Sequence, residues 1–298
     1  MLFTRYKNNP IIGPNKKHPY EAVGTFNPAA AVYNNKMYLI YRALNKKGWS
    51  SLCLAVSKDG FNFKKYKKNP IIKPSFKERG GVEDPRVTKI GDTYYLLYTS
   101  YNGKQPVTAK TINECLATSK DMLHWKKQGI IMKGEKSAAL YSEKINGKHL
   151  IFIGGTNIRT ATSNNLKKWK LNKEPIIKTR KNNFDSIYVE VGPPPFQFKN
   201  KLVLFFNTTD KRKYFQLSLA LLDKNNPQKV LYRADKPLLK PVKPYEKKGL
   251  VNNVIFATGL VEWDNNYFLY YGGADTTINL ATVTKKKMEK YLASLPLD

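Results

Sequence analysis

Leu54-Ala55-Val56-Ser57-Lys58-Asp59-Gly60-Phe61, followed by Asn69-Pro70-Ile71-Ile72, is the stretch whose recurrence decides the fold. Its first half returns as Leu116-Ala117-Thr118-Ser119, Thr160-Ala161-Thr162-Ser163, Leu219-Ala220 and Leu280-Ala281-Thr282. Its second half returns as Asn9-Pro10-Ile11-Ile12, Glu174-Pro175-Ile176-Ile177 and Lys236-Pro237-Leu238-Leu239. The alanines stand 44 to 62 residues apart. A period of that size, with several short strands per copy, predicts the blades of a β-propeller. Five β-rich runs, at 36–42, 93–98, 148–153, 201–206 and 267–271, each precede an Ala segment. The expected fold is therefore all-β, a five-bladed β-propeller. Each blade is ordered as inner strand, middle strand, Ala strand and Pro-Ile-Ile strand. The copy at 10–12 has no earlier blade and is expected to close the ring beside 277–283. Only 285–293 reads as helix. No Pro/Gly/Ser-rich linker interrupts the repeat, so residues 1–298 are read as a single domain.

Composition narrows the partners. The net charge is +30, from 52 Lys and Arg against 22 Asp and Glu. The lysines are scattered through turns such as Lys64-Lys65, Lys126-Lys127 and Lys167-Lys168. No nucleic-acid module has a signature here, so a solvated lysine-rich surface is expected and no specific nucleic-acid partner. Two cysteines, Cys53 and Cys115, hold equivalent places beside Leu-Ala and imply no disulfide framework. The N-terminal residues lack the apolar run of a signal peptide, and no stretch is long enough to span a membrane. A cytoplasmic setting is the expectation. The three histidines, His18, His124 and His149, form no ligand-spaced cluster, so no metal and no cofactor are expected.

Polar residues break the β pattern just before or on the strands expected to line the central opening. They include Phe26-Asn27-Pro28, Glu83-Asp84-Pro85-Arg86, Lys136-Ser137, Glu190 and Gly272-Gly273-Ala274-Asp275. A carboxylate beside an arginine reads either as a structural ion pair or as chemistry. A second carboxylate, Glu190, two blades later favours chemistry, because two carboxylates across a pocket are the equipment of glycosidic bond cleavage.

Six motifs then carry a resemblance across nearly the whole chain. They are Asn27-Pro28-Ala29-Ala30, Tyr41-Arg42-Ala43, Glu83-Asp84-Pro85-Arg86-Val87-Thr88, Glu143-Lys144-Ile145-Asn146-Gly147-Lys148, Gly192-Pro193-Pro194-Pro195 and Tyr270-Tyr271-Gly272-Gly273-Ala274-Asp275. In this order they resemble glycoside hydrolase family 130, five-bladed propellers that include β-mannoside phosphorylases and β-mannosidases. The resemblance implies an inverting attack on a short β-mannoside, β-1,2 or β-1,4 linked. Asp84 matches the catalytic acid, which is thought to relay its proton through a sugar hydroxyl. Asn27, Phe256 and Asp275 fall where the family holds mannose. Arg42 and Arg86 fall around the reacting centre, with Glu83 grouped among the substrate-binding side chains.

The attacking group is water or phosphate. Where the family's phosphorylases carry Arg-Asn, this chain has Lys136-Ser137; a usual histidine is replaced by Ile153-Gly154, and a usual lysine gives way to Glu190. A carboxylate there repels phosphate and can serve as base for water, so hydrolysis with Asp84 as acid and Glu190 as base is the lead expectation. The alternative is phosphorolysis, with inorganic phosphate as co-substrate held by Arg42, Lys136, Lys144 and Arg159. A non-catalytic sugar-binding propeller is the third. Thr258 stands where the family's hydrolases carry a further glutamate. Family members often oligomerise, so a homo-oligomer is an open expectation.

Overall fold

The computed structural model describes residues 2–297. After a short edge strand β1 (Thr4–Arg5), the chain forms antiparallel meanders in sequence order. The first is β2 (Gly24–Tyr33), β3 (Lys36–Leu44), β4 (Ser50–Ser57) and β5 (Lys64–Lys65). The second is β6 (Gly81–Ile90), β7 (Thr93–Tyr101), β8 (Ile112–Ser119) and β9 (Lys126–Lys133), whose sheet continues from the first through one parallel bridge, Ser50 to Gly81. The third is β10 (Ala139–Leu140), β11 (His149–Ile153), β12 (Arg159–Ser163) and β13 (Lys170–Leu171). The fourth is β14 (Tyr188–Val191), β15 (Phe196–Phe198), β16 (Lys201–Thr209), β17 (Phe215–Asp223) and β18 (Val230–Arg233), with β14 and β15 sharing β16 as partner. After a one-turn helix α1 (Pro244–Lys247) come β19 (Ile255–Trp263), β20 (Asn266–Gly273) and β21 (Thr277–Thr284), and then α2 (Lys285–Ala293). Among the described residues the fold is thus all-β apart from these short helices and two 3-10 turns, at Pro19–Glu21 and Phe76–Glu78, and no sheet closes on itself. No helix among the described residues is long and apolar enough to cross a membrane.

Strand alternation explains the continuous apolar runs. Successive side chains on a strand point to opposite faces. On β3, Tyr38 and Ile40 join one apolar cluster, and Met37, Leu39 and Tyr41 join another. On β16, Leu204 and Phe206 face one way, and Val203 and Phe205 the other. Each middle strand is therefore buried on both faces. The clusters lie between consecutive meanders, and the last packs meander five against meander one. The repeated alanines have a common register: Ala55 faces Leu39, Ala117 faces Leu96, Ala161 faces Ile151, Ala220 faces Leu204 and Ala281 faces Leu269. Opposite residues of an antiparallel pair share a face, so a small side chain makes room beside each large one.

Two expectations about edges have different outcomes. The first strand does return to the end of the chain, with Thr4 paired to Thr282 and Ile12 bridged to Ile278. The Pro-Ile-Ile segments, expected as full outer strands, are single bridges instead: Leu52 to Ile72, Ile158 to Ile177 and Leu217 to Leu239. Proline supplies no ladder donor, and a second proline follows three of the four copies, at Pro14, Pro74 and Pro241, while the copy at 174–177 ends in a single bridge without one. The residues just before, as in β5 and β13, hold the outer edge.

Candidate active site

The register of three strands slips at equivalent places: β2 between Phe26 and Ala29, β6 between Glu83 and Arg86, and β19 between Ala257 and Gly259. In the first two the bulge is an Asn-Pro or Asp-Pro pair, and bulges are where a strand tolerates proline. Asn27 and Asp84 have left-handed φ values of 48° and 49°, which Asn and Asp adopt more readily than other residues. The bulges re-aim both side chains onto the wall of one cavity of about 690 Å³, where Asn27 Nδ2 donates to Asp84 Oδ1 at 2.8 Å. Gly272 makes this possible, since a Cβ there would overlap the Asn27 carboxamide.

Arg42, on β3, ties the acidic pair together. It donates to Glu83 at 2.6 Å and to Ser50 at 2.8 Å, approaches Asp84 at 3.4 Å, and lies 4.9 Å over the Phe26 ring. The two carboxyls respond oppositely. Burial pushes Glu83 up, aided by Asp84 and opposed by Arg42. Burial also pushes Asp84 up, but Arg42, Arg86 and the Asn27 hydrogen bond outweigh it and hold the carboxyl below its ordinary value. Asp275, on the same wall at a left-handed φ of 49°, is pushed up to about 6 by burial and by its acidic neighbours, against the pull of Arg42.

Glu190, on β14, is 1% exposed yet reaches the wall. Lys136 Nζ donates to it at 2.9 Å, the hydroxyls of Ser137 and Tyr188 donate to it, and Arg86 lies at 3.5 Å. A carboxylate has about four acceptor positions, and these four groups occupy the surroundings of both oxygens. Lys136 also lies 5.2 Å over the Tyr188 ring, in space that a Cβ at Gly155 would fill.

Asn27, Arg42, Asp84, Lys136, Glu190, Phe256 and Asp275 thus meet on one cavity. Four predicted residues take other places. Arg86 is 1% exposed and donates to the carbonyls of Asp84, Val191 and Gly192, fastening β6 to β14 rather than facing the cavity. Lys144 is exposed beside the Ile145–Lys148 turn, at the opposite end of the β10–β11 hairpin from Lys136. Arg159 is paired with Glu135 at 2.6 Å and does not line the cavity. Glu83 stands behind Arg42 rather than on the wall, and Thr258 is fully buried off it.

Sequence reasoning missed Tyr188, Thr209, Arg212, Lys213 and Phe215, all on the cavity wall. Lys211-Arg212-Lys213 reads as one more basic turn, and only its position after a buried Thr-Thr pair sets it apart. A further buried carboxyl, Glu114 on β8, lies behind the site. Burial pushes it up to about 8, against the opposing pull of Arg86. Among the described residues no group of three or more His, Cys, Asp and Glu could hold a metal ion.

The family comparisons agree with these motifs. A family model for glycoside hydrolase family 130, described as beta-1,4-mannooligosaccharide phosphorylase, matches residues 5–293. A beta-1,2-mannobiose phosphorylase of Thermoanaerobacter sp. (strain X514) is 36% identical, over 96% of this chain and 98% of that protein. The solved beta-1,2-mannobiose phosphorylase of Listeria innocua, in complex with beta-1,2-mannobiose, superposes with a TM-score of 0.87 at 26% identity, covering 99% of both chains. A further solved structure, at 28% identity and a TM-score of 0.87 over 95% of this chain and 94% of that one, is described as showing that this family of mannoside phosphorylases contains glycoside hydrolases that target beta-1,2 mannosidic linkages in Candida mannan. The chain is an enzyme of glycoside hydrolase family 130.

Proposed function

We propose that the five meanders are the blades of a five-bladed β-propeller, one domain over residues 1–298, and that its cavity phosphorolyses β-1,2-linked mannosides. The cyclic arrangement of apolar clusters supports the blade count. The Thermoanaerobacter relative supports the linkage and the phosphate co-substrate. A phosphate oxygen bonds to C1 of mannose as the C1–O bond breaks, and inversion from a β-mannoside gives α-mannose 1-phosphate. Asp84 supplies the proton to the leaving oxygen through a sugar hydroxyl, and Asn27, Phe256 and Asp275 hold the mannose. An anion drawing Arg42 away from Asp84 weakens the force that keeps Asp84 ionised, and so favours the protonated form an acid needs.

The observation that carries this reading over hydrolysis is the engagement of Glu190. A general base needs a free acceptor position within reach of water, and Lys136, Ser137, Tyr188 and Arg86 surround both oxygens of Glu190. Glu190 acts here as the counter-ion that holds Lys136 and Arg86 in place. Hydrolysis remains the second reading, because Glu190 is a carboxylate on the cavity wall and one solved relative is described with hydrolases. Products formed from β-1,2-mannobiose with and without inorganic phosphate separate the two. Phosphate-dependent mannose 1-phosphate is the expected result, and free mannose at an unchanged rate without phosphate is the contrary one.

A further inference from the structure

We propose that the turn between β16 and β17 is the element that grips the phosphate, through the Thr209 hydroxyl and the Lys213 ammonium, with Lys136 as the third donor. This rests on the phosphorolytic reading above and assigns residues to its nucleophile. None of Thr209, Arg212 or Lys213 belongs to the set read from the motifs.

Thr209 ends β16, is 4% exposed and lines the cavity, yet its Oγ1 has no hydrogen-bond partner. Buried hydroxyls are ordinarily satisfied, so a ligand oxygen is the natural acceptor or donor for this one. Thr209 is the register partner of Tyr188, and opposite residues of an antiparallel pair share a face. The Tyr188 ring is the surface under Lys136 Nζ. Thr209 and Lys136 therefore flank the same part of the cavity.

Lys213 supplies the charge. Its φ of 61° is left-handed, uncommon for lysine. Asp210 fixes the turn around it, accepting from the amides of Arg212 at 2.9 Å and Tyr214 at 3.2 Å, while its carbonyl accepts from the Lys213 amide at 2.9 Å. The other cations on the wall already have carboxylate partners: Arg42 with Glu83 and Asp84, Lys136 with Glu190, and Arg212 with Asp210. Lys213 is in no ion pair among the described residues. A cavity that also presents Asp84, Glu190 and Asp275 needs such an uncompensated cation to accept an anion.

The test is steady-state kinetics with phosphate varied at saturating β-1,2-mannobiose, and the converse. Lys213→Asn keeps the turn, since Asn tolerates left-handed φ, and removes the charge. Lys211→Asn removes the same charge from the same turn off the wall. The Lys213→Asn variant is expected to raise the phosphate KM about tenfold or more, with the mannobiose KM moved less than about twofold. Lys213→Arg should recover most of the loss, and Lys211→Asn should stay near wild type. A phosphate KM unchanged in Lys213→Asn, an equal rise in Lys211→Asn, or a rise confined to the mannobiose KM would each overturn the assignment while phosphorolysis stands. Phosphate-independent release of mannose by the wild-type enzyme would remove the phosphorolytic reading itself, and is seen before any variant is made.

Discussion

Asn27 and Asp84 owe their positions to strand bulges, each containing the proline that follows. The proline, which offers no ladder donor, is accommodated in a bulge, the residue before it stands at positive φ, and that conformation turns its side chain off the sheet and into the cavity. The proposed role of acid rests on where Asp84 points, and the proposed role of counter-ion on what surrounds Glu190. These assignments predict a contrast between two nearly isosteric changes. Asp84→Asn should lower kcat by about 10²- to 10⁴-fold, the usual worth of a positioned acid. Glu190→Gln should leave most of kcat in the presence of phosphate and act mainly on the phosphate KM, through Lys136. Equal losses in kcat would restore Glu190 to the base role. The wall residues were legible in the sequence where a motif fixed their backbone: Asn27, Asp84 and Asp275 all sit at left-handed φ. Arg86 stands two residues after Asp84, where regular alternation would give both one face, yet the bulge at Asp84-Pro85 breaks that alternation and the guanidinium turns to the carbonyls of Val191 and Gly192.

At the scale of elements, the same hairpin shows why one basic residue could be read and another could not. Lys136 and Lys144 flank a single pass along β10, so one stands at the cavity and the other at the far turn. Sequence gives their separation but not which end of the strand faces the opening. The Pro-Ile-Ile copies were legible as a repeat, while their reduction to single bridges follows the proline inside each copy, which offers the ladder no donor. Behind the site, β8 carries a buried acid whose titration can be followed in the stability of the fold. With Glu114 raised to about 8 by burial, the folded state keeps a proton that the unfolded chain loses near the ordinary carboxylate value. The stability this confers is fully present below that ordinary value and is lost as pH rises towards 8. The Tm of the wild-type protein should therefore fall more steeply between pH 5 and pH 8 than that of Glu114→Gln. Parallel slopes would show that Glu114 is ionised in the fold.

For the whole molecule, the decisive feature is that the ends of the chain meet. Leu2 and Phe3 join the cluster between meanders four and five, Phe3 packs edge-on to Phe205 at 5.9 Å, and Asn9 exchanges two hydrogen bonds with the backbone of Leu280. Removing residues 2–12 takes away these buried side chains and the partner of β21. Losing one buried Phe alone costs about 3–5 kcal/mol, against a total of roughly 5–15 kcal/mol for a domain. The truncated chain should lose its cooperative melting transition or have a Tm lowered by about 10 °C or more. An unchanged Tm would mean the N-terminal segment is a passive edge. The charge of +30 also belongs to this scale, since a net positive field concentrates small anions around a cavity whose own lining is partly acidic. Whether phosphate or water attacks C1 is decided by product analysis on β-1,2-mannobiose. Mannose 1-phosphate and mannose are expected in equal amounts, only when inorganic phosphate is present. Two molecules of free mannose from each mannobiose, at a rate indifferent to phosphate, would contradict phosphorolysis.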